Sequence, residues 1–431
     1  MSYTGSLFNF LTNSSSAFHT ILNAKTHLLK YNFKQLNLGE DWQLKEDERY
    51  FVSVYDSTLV GFIPHKNLRE GMKIAISHSD FPCLKIKPNA SILNNKYGKL
   101  NVEVYGGMIL NTWLDRPLSI AGKVMLEGES YYQPITKFVD FKRPLMTIPN
   151  LAIHMDRTIN TGKQWKKQKE LLPLAFLQDK NDINTNDEEK LLDLLAKELS
   201  CEKTEILSYD LTVYQVETPY CLGFNGEFIS APRLDNITSV KACLEGIIAD
   251  KRRQGLDIIV LFDNEEVGSR TKQGGASNIL ANIIERIYLA LGYTRQAILT
   301  DLAKSMMLSL DVAHAMHPNY IEKNDLTNKP ILNQGIAIKI AASQSYACDV
   351  EAVAIIKALC KKYKIKYQMY VNNSDIPGGS TIGSIASALL TMRTLDVGVP
   401  ILAMHSARET MGKDDQKSLE ALVRVFFEGF Y

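Results

Sequence analysis

The sequence carries nothing that reads as a membrane-crossing or export segment. No stretch reaches the roughly 18 apolar residues a spanning helix needs, and the opening run MSYTGSLFNFLTNSSS lacks the basic start and long apolar core of a secretory signal. The six cysteines (Cys83, Cys201, Cys221, Cys243, Cys348 and Cys360) form no C-x-x-C pair and no tight framework. Reduced thiols in a cytoplasmic protein are the natural reading. Charge of one sign is missing too: Lys+Arg 49 against Asp+Glu 48 leaves +1, so no global field favours nucleic acid or an anionic membrane. There is no G-x-S-x-G nucleophile turn. The Gly-rich run PGGSTIGS lacks the lysine of a phosphate loop, and YGGMI lacks the spacing of a dinucleotide fingerprint. Internal repeats and low-complexity tracts are absent as well.

What is present is ordinary globular material. A chain of 431 residues with 45% hydrophobic and 23% charged content has room for a large core and two domains. LFNFLTNSSSAFHTILNAKTHLLKY reads as two short helices parted by a cap signal, RYFVSVYDSTLVGFIP as a hairpin, and MKIAIS as a buried strand. From about Asn94 to Asn225, short β-like runs such as LNVEVYGGMILNTW and GKVML are separated by Gly and Pro, the texture of an antiparallel unit. QDKNDINTNDEEK reads as an exposed loop ahead of the helix LLDLLAKEL. After Pro232 strands and helices alternate: DIIVLF, SNILANIIERIYLAL, MMLSLDV, EAVAIIKALCKKY, KYQMYV, IGSIASALLTMR, VPILAMH. The expectation is an α/β fold whose mixed, largely parallel sheet is flanked by helices. Residues 1–90 and 230–431 form that domain, and 91–229 form a β-rich insertion.

The polar residues at the ends of these apolar runs carry the chemistry. MKIAIS leads into His78-Ser-Asp80, DIIVLF into Asp263-Asn264-Glu265-Glu266, MMLSL into Asp311 and VPILAM into His405, while Asp235 precedes a helix. Open α/β sheets bind ligands beyond the carboxyl ends of their strands, so these distant residues converge. Imidazole and carboxylate are the donors of a zinc-type divalent ion, and the set exceeds one tetrahedral site but suits two ions sharing a carboxylate. In His-x-Asp the carboxylate fixes the imidazole tautomer. Of the adjacent Glu265 and Glu266, one can ligate while the other takes a proton from water. Each element alone has a plain structural explanation, such as a capped turn, a solvated Glu pair or a core histidine. His314 and His317 likewise fit one helical face as well as a metal. The conjunction at strand ends is what points to a metal centre.

Taken together, ISHSDFPCLKIKP, YGGMILNTWLDRPLSIAGKV, IPNLAIHMDR, PRLDN, LFDNEEVGS, SLDVAHAMHPNY, GGSTIGSI and LDVGVPILAMHSARE resemble the M18 family of metallopeptidases, the aspartyl aminopeptidase family, in the family's order from Ser77 to Glu409. The resemblance implies a zinc-peptidase-like catalytic domain interrupted by a dimerisation domain. It implies two divalent ions per subunit, zinc first, with cobalt and manganese also accepted by such ligands. His78, Asp235, Glu266, Asp311 and His405 would be the metal ligands, with Asp80 behind His78, Asp235 bridging and Glu265 as general base. His154 would reach a neighbouring subunit's site to stabilise the oxyanion. Peptides with a free N-terminus would be the substrates, and homodimers would assemble into a homododecamer.

Lys339 matches the lysine that would bind an acidic substrate side chain. Its surroundings depart from the family's I-K-x-N-x-N-Q-R-Y, reading Ile338-Lys339-Ile340-Ala341-Ala342-Ser343-Gln344-Ser345-Tyr346. The missing arginine removes a bidentate carboxylate partner, so strict acidic preference does not follow. The rival readings are a two-metal hydrolase of N-acyl amino acids or C-terminal residues, and a non-catalytic assembly protein of the same fold.

Overall fold

The computed structural model describes residues 3–178 and 189–428, and most of the Asn/Asp-rich stretch expected as a loop lies outside them. The chain forms two compact units: Met1–Phe81 with Pro219–Met404 and Glu409–Tyr431, and Pro82–Thr218 with His405–Arg408. Strand Cys83–Asn94 belongs wholly to the second unit and strand Tyr220–Leu222 to the first. The units therefore part at Pro82 and Pro219, ahead of positions 91 and 230 read from texture.

In the first unit a nine-stranded sheet runs in the order Lys34–Leu36, Tyr50–Val54, Thr58–Pro64, Leu256–Phe262, Met72–His78, Met306–Leu310, Arg393–Gly398, Ile336–Ile340, Tyr367–Val371. The interior strands from Leu256–Phe262 to Arg393–Gly398 are parallel. They read as near-continuous apolar runs because both faces are covered, and every residue of Leu256–Phe262 is buried. Side chains alternate between faces. Ile74, Ile76, Ile258 and Val260 join a core with Ile283, Ile287 and Ile298 of helices Ile279–Ala290 and Arg295–Leu302. On the other face Gly61 packs beside Ile259 and Leu28 of helix Ala17–Leu29, whose N-cap is Ser16.

The segment LDVGVPILAM, of which VPILAM reads as a strand, serves two sheets. Arg393–Gly398 lies in the large sheet, whereas Pro400–Leu402 lies in a five-stranded sheet with Ala313–His314, Glu409–Gly412, Phe228–Ala231 and Tyr220–Leu222. A Cβ on Gly398 would fall 1.9 Å from the Asp311 carbonyl oxygen, so only glycine fits where the chain changes sheets. His405 thus follows a strand of the small sheet, not of the large one.

The second unit is built on an antiparallel six-stranded sheet, in the order Ile135–Asp140, Leu118–Leu126, Ile206–Gln215, Cys83–Asn94, Tyr97–Tyr105, Leu174–Leu177. Ile120, Val124, Leu211 and Val213 are buried within it. Helix Lys190–Leu199 buries Leu191 and Leu195. Among the described residues no helix is long and apolar enough to cross a membrane.

Candidate metal centre

Three interior strands of the large sheet end at the same level, and polar residues stand at or just beyond each end. His78 closes Met72–His78 and pairs with Phe262. The short turn Glu265–Val267 follows Leu256–Phe262, entered through a left-handed Asn264. Asp311 follows Met306–Leu310, and its N–H donates to the Val397 carbonyl at 3.0 Å. Asp235, at the non-helical start of helix Leu234–Ile248, joins them, its N–H donating to Glu409 Oε2 at 3.1 Å.

His78 is fully buried, with Nδ1 3.1 Å from the Asp80 carbonyl oxygen and 3.4 Å from its Oδ1. A carbonyl can only accept, so Nδ1 carries the proton and Nε2 is turned the other way. Nε2 lies 3.4 Å from Asp235 Oδ1 and 3.9 Å from Asp311 Oδ1. Asp80 reaches further than the His-x-Asp spacing suggests. Its Oδ1 accepts the Glu265 N–H and its Oδ2 the Glu266 N–H, each at 3.2 Å. One residue therefore orients the imidazole, chiefly through its carbonyl, and pins the Glu-Glu turn through its carboxylate.

The donor set fits a divalent cation. His78 with Asp235 and Asp311, and His78 with Glu265 and Glu266, offer ligand atoms within 4.8 Å of one another. Imidazole with carboxylates is zinc-type chemistry. The electrostatics agree, because carboxylates crowd one imidazole in a dry site. Burial pushes the Glu265 carboxyl up to about 8; His78 opposes this, while Asp311, Asp80 and Asp235 add to it. For His78 burial disfavours the imidazolium, but the bonds to Asp235 and Asp80 and the charge of Glu265 outweigh it and hold the pKa well above 6.5. A bound cation offsets this excess of negative charge.

Lys339, on strand Ile336–Ile340, is buried with Nζ 3.8 Å from Asp311 Oδ2 and 5.1 Å from the Tyr346 ring centroid. The first unit thus gathers His78, Asp80, Asp235, Glu265, Glu266, Asp311 and Lys339. His405 and His154 belong to the second unit. There His405, with φ 67°, has Nδ1 3.0 Å from the Gly107 carbonyl, and His154 lies exposed in an irregular stretch. The His314 ring lies tilted 6.1 Å from that of Tyr370, and His317 Nδ1 accepts the Asn319 N–H. Neither is in a metal-capable group among the described residues.

Some residues of consequence were given no role by the sequence. Glu409, partner of Asp235, stands in the MHSARE run, where nothing in its spacing marks it. Asp396 lies inside the apolar run LDVGV, where a lone carboxylate between buried positions is itself a signal. A third group, His65 with Asp250 and Asp257, sits at the opposite end of strand Leu256–Phe262. No local spacing announces it, since its members come from three separate segments.

Known proteins resemble this chain along nearly its whole length. A family profile described as "Aminopeptidase I zinc metalloprotease (M18)" matches residues 10–430. The "Probable M18 family aminopeptidase 2" of Clostridium novyi (strain NT) is 45% identical over 417 residues, covering 96% of this chain and 95% of the relative. "Aspartyl aminopeptidase 4" of Saccharomyces cerevisiae is 37% identical over 464 residues, covering 99% and 95%. Among solved structures, "Structure of S. cerevesiae mApe1 dodecamer" superposes with a TM-score of 0.84 at 25% identity, over 98% of this chain and 95% of that one.

Proposed function

The chain belongs to the M18 family of zinc metalloprotease aminopeptidases, and from that premise we propose that it removes the first residue of peptides by two-metal hydrolysis with Glu265 as general base. The observation that carries the reading is the buried meeting of His78, Asp235 and Asp311 beside a Glu-Glu turn held by Asp80. In this reading His78, Asp235 and Asp311 would hold one ion, and Glu266 and His405, with Asp235 shared, would hold the other. The hydrogen bond of His405 Nδ1 to Gly107 supports the role of its Nε2 as a ligand. The ions, when bound, supply Lewis acidity toward the scissile carbonyl and lower the pKa of water.

The chain's own residues do the rest. Glu265 takes the proton of the attacking water on a carboxylate oxygen and passes it to the leaving amine. Asp80 keeps that turn and the His78 ring in register. Lys339 meets the side chain of the residue being removed, which favours acidic first residues, in keeping with the yeast relative's name. The chain works as a homo-oligomer, a dimer through its second unit and then a dodecamer, with His154 donating to the oxyanion in a neighbouring subunit's site. The dodecameric relative supports that assembly. A cytoplasmic setting belongs to the reading, supported by six cysteines that form no disulfide.

The test is a comparison of the same peptides with free and N-acetylated termini, using zinc-loaded protein. Release of the first residue from the free peptide alone is expected. Cleavage of the acetylated peptide, or release of the last residue, contradicts the reading.

A further inference from the structure

We propose that Asp396 is the positioning residue that fixes Lys339 and Tyr346, and with them the side chain of the substrate's first residue. The proposal rests on the aminopeptidase reading above and on a fork in the large sheet. Strand Ile336–Ile340 pairs with Arg393–Gly398 at Ala337↔Gly398 and Ile338↔Val397. Past these pairs another segment takes over the edge: the Asp396 N–H donates to the Ala347 carbonyl at 2.8 Å, and Cys348 bridges Leu395. Lys339 and Asp396 are the first residues beyond the last shared pair, on the same face of the sheet. The pairs Ser309↔Asp396 and Lys339↔Tyr370 extend this polar row across four strands. All four residues are buried.

The Asp396 carboxylate closes the fork. Its Oδ2 accepts the Ala347 N–H at 2.6 Å, so these two residues exchange a main-chain and a side-chain bond. Tyr346, one residue earlier, presents its ring to the Lys339 ammonium. Its hydroxyl accepts from Asn372 Nδ2 at 3.4 Å. On the opposite flank the first turn of helix Ile382–Leu389, at the end of the Gly-rich run, packs on the same carboxylate. A Cβ at Gly383 would fall 2.4 Å from Asp396 Oδ2 and 2.8 Å from Ser309 Oγ. This gives the PGGSTIGS run a structural reason. Burial opposes the charge of Asp396, whereas Lys339, Ser309 and Thr381 favour it. One buried carboxylate thus holds Ala347 and packs on the Gly-rich segment, and through Ala347 it places the Tyr346 ring that faces Lys339, whose Nζ has Asp311 as its carboxylate neighbour.

Asp396→Asn keeps the shape and an acceptor for Ala347 but removes the charge. The experiment measures kcat/KM on Asp-, Glu- and Leu-aminoacyl substrates for the wild type, Asp396→Asn, Lys339→Met and the double variant, all zinc-loaded. The acidic-to-Leu ratio is expected to fall about tenfold in Asp396→Asn, and further in Lys339→Met, with the double variant matching Lys339→Met because Asp396 acts through Lys339. If Asp396→Asn does not fold, Gly383→Ala carries the test. Its methyl displaces the carboxylate without removing the charge, and the same fall in ratio is expected. Additive effects in the double variant, or a parallel loss on all substrates, overturn the proposal while the aminopeptidase reading stands. Absence of wild-type turnover on every free-amine substrate overturns that reading, and this proposal with it.

Discussion

The carboxylate of Asp80 holds the turn that carries Glu265, accepting the Glu265 N–H through Oδ1 and the Glu266 N–H through Oδ2, each at 3.2 Å. Partners of this kind behind a ligand set typically govern metal affinity and activity by about 10–100-fold. Asp80→Ala is expected to lower kcat/KM by roughly that factor, and Asp80→Asn by less, because the amide oxygen still accepts one N–H. Wild-type kinetics in Asp80→Ala would remove the turn from the account.

Chelation probes the ligand set more directly. Treatment with a strong chelator is expected to abolish turnover, and added zinc to restore it. His78→Ala is expected to weaken zinc binding by more than about 100-fold, since on the proposed reading it removes a ligand rather than a supporting group. Zinc titration of the apoprotein followed by spectroscopy measures this, and an unchanged affinity would exclude His78 as a ligand.

His65 makes a separate prediction, about stability. Its Nε2 lies 3.0 Å from Asp250 and 3.3 Å from Asp257, and its Nδ1 3.4 Å from Asp47. Arg252 and Lys73 are the other charged groups of this neighbourhood. Burial disfavours the imidazolium, but the bonds and charges of Asp250 and Asp257 raise the pKa from 6.5 to about 9. A folded pKa above the unfolded one gives stability that is complete below pH 6.5 and lost as pH climbs through about 9. Burial also raises the Asp250 pKa, which offsets part of the gain and leaves on the order of 1–3 kcal/mol. Urea unfolding of wild type and His65→Asn should show a gap that is widest near pH 6 and narrows toward pH 10. A gap independent of pH contradicts this.

Gly398 is the point at which packing and site meet. The Cβ of Gly398→Ala would collide with the Asp311 carbonyl oxygen at 1.9 Å and approach Val312 Cα at 3.0 Å. Both are backbone atoms, so no side-chain rotation relieves the clash. A loss of about 3 kcal/mol or more is expected, together with weaker zinc binding as Asp311 is displaced. Thermal melting and zinc titration of Gly398→Ala check the pair of effects.

How much of this was legible in the sequence follows from range. MKIAIS ending on His78, MMLSL ending on Asp311 and DIIVLF ending on the Glu-Glu turn were readable because a buried parallel strand is a continuous apolar run and its end is where polarity returns. The same rule finds the strand Pro400–Leu402 before His405 but not the sheet it belongs to. Nothing local in LDVGVPILAM tells that the chain leaves one sheet for another at Val399, which is decided by the close approach of Gly398 to Asp311. The hold of Asp80 on Glu265 and the cluster around His65 each join segments more than 180 residues apart, and no periodicity encodes such contacts. Asp396 shows the intermediate case: its oddity within an apolar run was visible, but its partners were not.

The central claim is that Glu265 is the base of a metal-dependent aminopeptidase, and Glu265→Gln tests it most directly. The amide keeps the shape and the Asp80 bond to the backbone but cannot take the proton. Zinc content and turnover of a free-amine aminoacyl substrate should be measured on the same sample. The account predicts wild-type zinc content with kcat reduced by about 10²–10⁴-fold; near-normal turnover at full zinc occupancy would contradict it.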